Sequence, residues 1–280
     1  MLAASAPAQN LFEADWRSGN IYEFTAGGGQ STFASGFYDP AALAFDSVGD
    51  LFVASALSGN IYEITSGGTR TTFASGLHNP LGLAFNSAGN LFEADSASGT
   101  VYEFTPGGVQ STFARGLDNP AALAFDSAGN LFVASQGGNF LKHDYITEIT
   151  PGGVQSTIAT GLNSPQGLAF DSAGNLFVSS YNNNSITKIT PGGVKSTFVS
   201  TGLNDPWGLA FDNAGNLFEA DYISGNIYEF TPGGARTTFA SGLSPTGLAF
   251  QGLTLPVPEP SALGVLAVGT TALLISRRRR

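Results

Sequence analysis

The chain has 280 residues, 42% of them apolar, which is enough to bury a large core in one domain. The absence of cysteine excludes disulfide bonds, thiolate zinc sites and a cysteine nucleophile, and two histidines leave little room for a multi-histidine metal centre. Residues 277–280 hold four of the eleven basic side chains, so the other residues carry seven basic against 21 acidic groups and should repel nucleic acid.

The first segment, residues 1–9 (MLAASAPAQ), is rich in small side chains. It resembles the cleavage region of a secretory signal, but it lacks a positively charged start and an adequate apolar stretch. We therefore expect either the remnant of a longer signal or a disordered terminus, and the sequence leaves both interpretations open.

Residues 10–250 consist of copies of one pattern, which is clearest in residues 202–241. Each complete copy has four short segments rich in apolar residues and Thr, here LAF, LFEA, IYEF and RTTFA, and turn residues separate them. Copies begin at Gly36, Gly76, Gly116, Gly161 and Gly202, a period of 40 to 45 residues. This period and strand number predict the four-stranded blades of an all-β propeller, in which each blade covers a face of its neighbour.

The turn residues predict two of the three hairpins in a blade. In residues 212–216 (DNAGN), Gly215 stands where a longer hairpin loop needs a positive φ. In residues 231–234 (TPGG), the proline presets φ before a glycine that would complete a type II turn.

The two ends of the repeat region predict how the ring closes. Residues 10–35 supply the second, third and fourth strands of a blade that lacks a first strand. Residues 242–250 (GLSPTGLAF) supply a first strand with nothing after it. Together they predict a sixth blade, so the fold class is an all-β, six-bladed propeller closed by strands from both termini.

Three sequence features carry a family resemblance over residues 10–250: a proline before GLAFD, a GNLFVAD-like second strand and an N-x-IYEFTPGG third strand. They resemble the NHL-type propeller, which implies a ring used for binding. Similar six-bladed rings in gluconolactonase-like enzymes hold a divalent metal in the central channel. The first strand reads LAF in every copy and offers no metal ligand, so we expect no cofactor, with calcium or magnesium as the alternative.

The C-terminal tail differs from the repeats. Residues 251–260 form a proline-rich linker, and residues 261–280 contain an uncharged apolar stretch before the final arginines. As a helix, the 14 uncharged residues would span about 21 Å, which is short for a hydrocarbon core of about 30 Å, so length alone leaves a membrane span open. We predict a short transmembrane helix here from the order of the parts of the tail.

The order of these parts resembles the PEP-CTERM sorting signal of bacteria that make extracellular polysaccharide. Its matching residues are Pro258, Glu259, Pro260, Arg277, Arg278, Arg279 and Arg280. The resemblance implies an exosortase-type processing enzyme as a partner and a transient anchor in the inner membrane. The positive-inside bias would keep the arginines cytoplasmic and place the propeller outside, from where it would reach the cell surface or extracellular matrix.

A propeller has two ends, and in this chain their sequences differ. The first and third turns of each blade define the turn end, where near-identical residues indicate a structural role. The second turns and the links between blades define the link end, which varies in every blade. We predict eight ligand-binding residues there: Trp16, Tyr38, His78, His143, Tyr145, Tyr181, Trp207 and Tyr222.

These eight side chains include both tryptophans and both histidines, and Asp and Asn residues are interleaved with them. Flat apolar faces beside planar polar groups suit a sugar-like or extended polar ligand. The alternative is that each aromatic ring only covers a blade interface.

Two further features suggest chemistry without establishing it. Residues 136–145 lengthen one link-end turn and place His143 next to Asp144, although adjacent residues on an extended chain point in opposite directions. Glu and Asp also stand two residues apart in three second strands, at positions 13 and 15, 93 and 95, and 219 and 221. Such pairs could bind calcium or magnesium or accept hydrogen bonds from neighbouring blades, and we assign no catalytic residue or metal ligand.

The sequence thus predicts an exported surface or matrix protein that acts as a non-catalytic binding module for polysaccharide or a surface protein. One alternative is a metal-dependent gluconolactonase-like hydrolase or a streptogramin-lyase-like enzyme with His78 or His143 as the base. Another is a purely structural surface spacer.

Overall fold

The computed structural model describes residues 9–137 and 144–252, which form 24 β-strands in six antiparallel sheets. A 3-10 turn in the same described residues lies at Tyr181–Asn183. In chain order the strands are β1 (Leu11–Asp15), β2 (Asn20–Phe24), β3 (Gln30–Ser35), β4 (Pro40–Phe45), β5 (Leu51–Ser55), β6 (Asn60–Ile64), β7 (Arg70–Ala74), β8 (Pro80–Phe85), β9 (Leu91–Asp95), β10 (Thr100–Phe104), β11 (Gln110–Arg115), β12 (Pro120–Phe125), β13 (Leu131–Ser135), β14 (Tyr145–Ile149), β15 (Gln155–Thr160), β16 (Pro165–Phe170), β17 (Leu176–Ser180), β18 (Ser185–Ile189), β19 (Lys195–Val199), β20 (Pro206–Phe211), β21 (Leu217–Asp221), β22 (Asn226–Phe230), β23 (Arg236–Ser241) and β24 (Pro245–Phe250).

Each sheet is one blade of a six-bladed propeller. Blade 1 has the strand order β24-β1-β2-β3, and blades 2 to 6 take the strands β4 to β23 in successive groups of four. The first strands of neighbouring blades contact one another around the ring, so they surround the axis. This arrangement confirms the predicted fold class and blade number.

Blade 1 confirms the predicted closure of the ring. Strand β24 pairs with β1 in antiparallel register, with Leu11 opposite Phe250 and Glu13 opposite Leu248. Beyond the strands, the Gln251 amide donates to the Asn10 carbonyl oxygen at 3.1 Å. The two ends of the repeat region therefore leave no free sheet edge at the axis.

A repeated phenylalanine contact holds each blade against the next. The Phe of the second strand in one blade meets the Phe that ends the first strand of the following blade, edge to face, at 4.9 to 5.0 Å between ring centroids. The Phe218–Phe250 pair makes this contact between blades 6 and 1. The LAF and LF segments of the repeat are thus the two halves of one inter-blade contact, which contributes about 0.5–1.5 kcal/mol per pair beyond area burial.

The turns follow the prediction in one case and depart from it in the other. Gly215 has a φ of 82°, as expected for the first turn. The type II prediction for residues 231–234 is wrong, because the positive φ belongs to Gly234 and not to Gly233. Gly234 donates to the Thr231 carbonyl oxygen at 2.8 Å, which is a type I turn followed by a left-handed glycine.

Several sequence predictions fall outside the described residues. These are the terminal segment 1–8, most of the proline-rich linker, and the predicted transmembrane helix and sorting signal at residues 261–280. Among the residues that the structure does describe, no helix is long and apolar enough to cross a membrane.

Candidate functional site

Backbone hydrogen bonds shape the link end. In five blades the residue before the first proline of the blade has a positive φ, between 45° and 75°. Its carbonyl oxygen accepts the N–H of the second-turn residue of the same blade, as in the 3.0 Å bond from Tyr222 to Asp205. Each link is therefore tied to a turn, and the end of the ring presents side chains on a fixed backbone.

The aspartates that end three of the second strands reinforce this surface. Asp221 accepts the Asn204 amide at 2.6 Å and the Ser224 amide at 3.1 Å. Asp15 and Asp95 accept equivalent amides in blades 1 and 3. These aspartates hold the link and the turn of their own blade together, whereas the sequence interpretation placed such hydrogen bonds between neighbouring blades.

The partner glutamates of those pairs behave differently. Glu13, Glu93 and Glu219 are fully buried, and their carboxyl oxygens have no hydrogen-bond partner within the described residues. Burial and then the neighbouring aspartate raise the pKa of each glutamate well above its ordinary value. No group of three or more His, Asp or Glu side chains in the described ranges is arranged to hold a metal ion.

Blade 1 differs from the others at its link. Five links have three residues between the glycine and the proline, whereas Gly242 and Pro245 have only two between them. Blade 1 consequently lacks the residue with positive φ at the rim of the axis. Asp205 and Asp39 hold that position in the two flanking blades, 6 and 2.

Three predicted aromatic residues converge around this shorter link, and we call Trp16, Trp207 and Tyr222 the aromatic corner. The rings of Trp207 and Tyr222 stack with centroids 5.3 Å apart, and Trp16 meets Tyr222 edge to face at 5.7 Å. Trp16 remains 40% exposed, while the other two are half-buried. The corner therefore has an accessible aromatic surface at Trp16, which packs against the half-buried ring of Tyr222, and Tyr222 in turn stacks on Trp207.

Carboxylates adjoin the aromatic corner. Burial raises the pKa of both Asp39 and Asp205 to about 6. The indole of Trp207 lowers the Asp205 pKa in part, although Trp207 Nε1 and Asp205 Oδ1 are both buried without a hydrogen bond of good geometry in the described region. Burial and the charge of Asp39 raise the pKa of Tyr222, and Arg17 acts in the opposite direction. The corner thus combines aromatic faces with poorly solvated acidic groups.

The central channel is narrow, and most of the residues that line it are alanine, leucine or glycine. Close approach of the first strands leaves a cavity of about 80 Å³, below the roughly 300–1,000 Å³ of typical ligand pockets. A Cβ on Gly208 would overlap the Thr246 carbonyl oxygen, and one on Gly167 would overlap that of Trp207. The lining residues are 41–43, 81–83, 121–123, 166–168, 207–209 and 246–248. A ligand of sugar size would have to bind at the mouth and not inside.

A larger recess of about 690 Å³ lies at the turn end, between blades 6 and 1. Blade 1 has no first turn, because its first two strands come from opposite ends of the repeat region. The Asp212 carboxylate beside the recess already accepts backbone N–H groups of its own turn. The recess is therefore a consequence of ring closure.

The other predicted residues lie outside the aromatic corner, and one of them, Tyr145, hydrogen-bonds to the backbone. Tyr181 is 37% exposed on blade 5 and interacts with Tyr222 electrostatically. Tyr38 is exposed beside Asp39, and the exposed His78 lies on blade 3, with Nδ1 4.0 Å from Asp95 Oδ2.

Tyr145 on blade 4 accepts the amide N–H of Asp118 at 3.1 Å through its hydroxyl oxygen. His143 lies outside the described residues. The sequence analysis missed Arg17, although its place directly after Trp16 in a variable turn could have indicated it.

Comparisons with known proteins support the fold. No family model and no curated protein matches the chain. Among solved structures, a chain of the nidogen/laminin complex is 20% identical with a TM-score of 0.78, covering 87% of this chain and 98% of that one. Virginiamycin B lyase from Staphylococcus aureus is 19% identical with a TM-score of 0.62, covering 76% and 77%. A putative gluconolactonase is 17% identical with a TM-score of 0.70, covering 84% and 89%. At these identities the likeness establishes a six-bladed β-propeller and no particular activity.

Proposed function

We propose that this protein is an exported, non-catalytic NHL-type propeller that binds polysaccharide through the aromatic corner. The observation that carries the proposal is the convergence of Trp16, Trp207 and Tyr222 from two neighbouring blades. Such rings bury apolar sugar faces at little conformational cost, and the adjoining carboxylates can accept hydroxyl hydrogen bonds. A surface protein is the other ligand class that the sequence predicts.

The exposed apolar side chains of the link end support the same location. Within the described residues, the large ones are Trp16, Tyr38, Leu57, Tyr181 and Ile223. All five belong to blades 5, 6, 1 and 2, which form one continuous sector of the ring. Exposed apolar surface concentrated in this way is typical of an interaction surface.

The C-terminal tail supports the proposed location in the cell. Its Pro-Glu-Pro motif, apolar stretch and final arginines resemble the PEP-CTERM signal, so we place the protein at the inner membrane until an exosortase-type enzyme processes it. The surface or extracellular matrix is then its destination. A matrix rich in polysaccharide would present the ligand class that the aromatic corner suits.

Fluorescence provides a direct test, because both tryptophans of the chain belong to the aromatic corner. The purified full chain would be titrated with extracted matrix polysaccharide and with defined neutral oligosaccharides. We expect a saturable change in tryptophan emission and, by calorimetry, about tenfold weaker binding for Trp16→Ala and Tyr222→Ala, or roughly 1.4 kcal/mol each. The control Val154→Ala removes an exposed apolar side chain at the turn end. The absence of binding, or equal binding by all variants, would refute the proposal.

A further inference from the structure

Two aspartates at the aromatic corner carry charges that the backbone does not require. Asp39 and Asp205 have φ values of 57° and 75° directly before the proline of their blades. Asn79, Asn119 and Ser164 take the same left-handed conformation at the equivalent positions. Short polar residues adopt this conformation whether or not they are charged, so three blades obtain the same geometry without a carboxylate.

Neither carboxylate forms an ion pair with a cation in the described part of the chain. Asp205 is only 6% exposed, and the neutral indole of Trp207 is the neighbouring donor that lowers its pKa, without a hydrogen bond of good geometry to Oδ1, while Asp39 is partly buried. Because burying an unpaired charge is costly, a bound cation would stabilise this site.

The other charged groups around the corner do not change this balance. Asp221 acts on Asp205 with the same sign, and Tyr222 and Tyr181 are neutral in their ordinary form. Arg17 is the one nearby cation that influences Tyr222 among the described residues. Three carboxylates against one guanidinium leave the corner negative.

We propose that the aromatic corner binds a saccharide that carries a free, protonated amino group. Amino groups on successive sugars would lie beside the carboxylates of Asp39 and Asp205, which stand on either side of blade 1, and a sugar ring between them would contact Trp16 and Tyr222. Aromatic faces attract a cation as well as apolar C–H groups, so both components of the site suit an amino sugar. This inference rests on the proposed function and specifies its ligand.

A matched pair of probes tests the amine directly. The full chain would be titrated at pH 7 with a glucosamine tetramer and with an N-acetylglucosamine tetramer, which differ in the charge on nitrogen. We expect the free amine to bind about ten- to a hundredfold more tightly, the range that hydrogen bonds to charged groups provide. The preference should fall as salt is added.

The repeat itself supplies the variants. Asp39→Asn and Asp205→Asn reproduce residue types already present in other blades, so the double variant should keep the melting temperature and lose the preference for the amine. The control Asn79→Asp adds a carboxylate on blade 3 and should leave the preference unchanged.

Equal binding of the two tetramers, or a preference that survives in the double variant, would refute recognition of the amino group by Asp39 and Asp205. Saccharide binding at the aromatic corner would still stand. Failure of every saccharide to bind would overturn the proposed function as well.

Discussion

A buried glutamate between blades should make this protein less stable than it would be with the valine that other copies of the repeat have at the same position. Glu219 is fully buried with no hydrogen-bond partner for either carboxyl oxygen in the described region. Val53, Val133 and Val178 hold the equivalent position in three other blades and are also fully buried. We therefore expect Glu219→Val to stabilise the fold, because valine suits this position elsewhere in the ring.

The size of the effect follows from the cost of unsatisfied polar groups. A buried polar group without a partner costs about 1–3 kcal/mol, so the free energy of unfolding should rise by roughly that amount. In a domain of this size, each kcal/mol corresponds to about 2–4 °C in melting temperature. Thermal and urea unfolding of the full chain would measure the change.

The gain should also depend on pH. Burial raises the pKa of Glu219 above its ordinary value of 4.5, so the folded state holds the proton more tightly than the unfolded state. Stability from this proton is fully present below the unfolded pKa and is lost as pH rises through the folded pKa. Glu219→Val should consequently gain more at pH 8 than at pH 4.

Two further variants separate the causes. Glu219→Gln removes the ionisation but keeps a buried polar group, so it should reduce the pH dependence with a smaller gain at pH 4. Val178→Glu should reverse the effect and destabilise the ring at pH 8. A Glu219→Val chain that is no more stable than the parent at pH 8 would refute the reasoning.

Three other predictions concern the framework and the site. Gly208→Ala should lower the free energy of unfolding by about 1–3 kcal/mol in urea titrations, because its Cβ overlaps the Thr246 carbonyl oxygen. Asp95→Ala should cost about 1–3 kcal/mol by leaving the His78 amide without its acceptor, and Asp95→Ser should recover part of the loss, since serine ends the same strand in other blades. Tryptophan emission of the ligand-free chain should change with pH around a midpoint near pH 6, because Asp205 adjoins Trp207. Asp205→Asn should remove the part of this change that comes from Asp205, and an unchanged pH profile would contradict the raised pKa of Asp205.

The site shows how far sequence reasoning reaches on a repeated fold. Comparing copies identified the variable link end and the aromatic residues on it, because side chains that depart from a repeat are not needed for its packing. It did not show that Trp16, Trp207 and Tyr222 meet while His78 and Tyr145 lie on other blades. The closure predicted from the sequence already makes blades 6 and 1 neighbours, but the ring contacts depend on how the three side chains are oriented, and only the structure gives that.

The sequence by itself determined the blade, the number of blades and the closure by both termini. These follow from local strand and turn preferences and from the need to cover every blade face, which recur in each copy. The tertiary structure alone decided that the third hairpin is a type I turn, that the channel is too narrow for a sugar, and that the shorter link of blade 1 stands between Asp39 and Asp205. The channel width and the surroundings of the shorter link arise from contacts between residues distant in the chain, which the spacing of residues within one copy does not encode. The turn type depends on which of two adjacent glycines takes the positive φ, and the sequence allows either one.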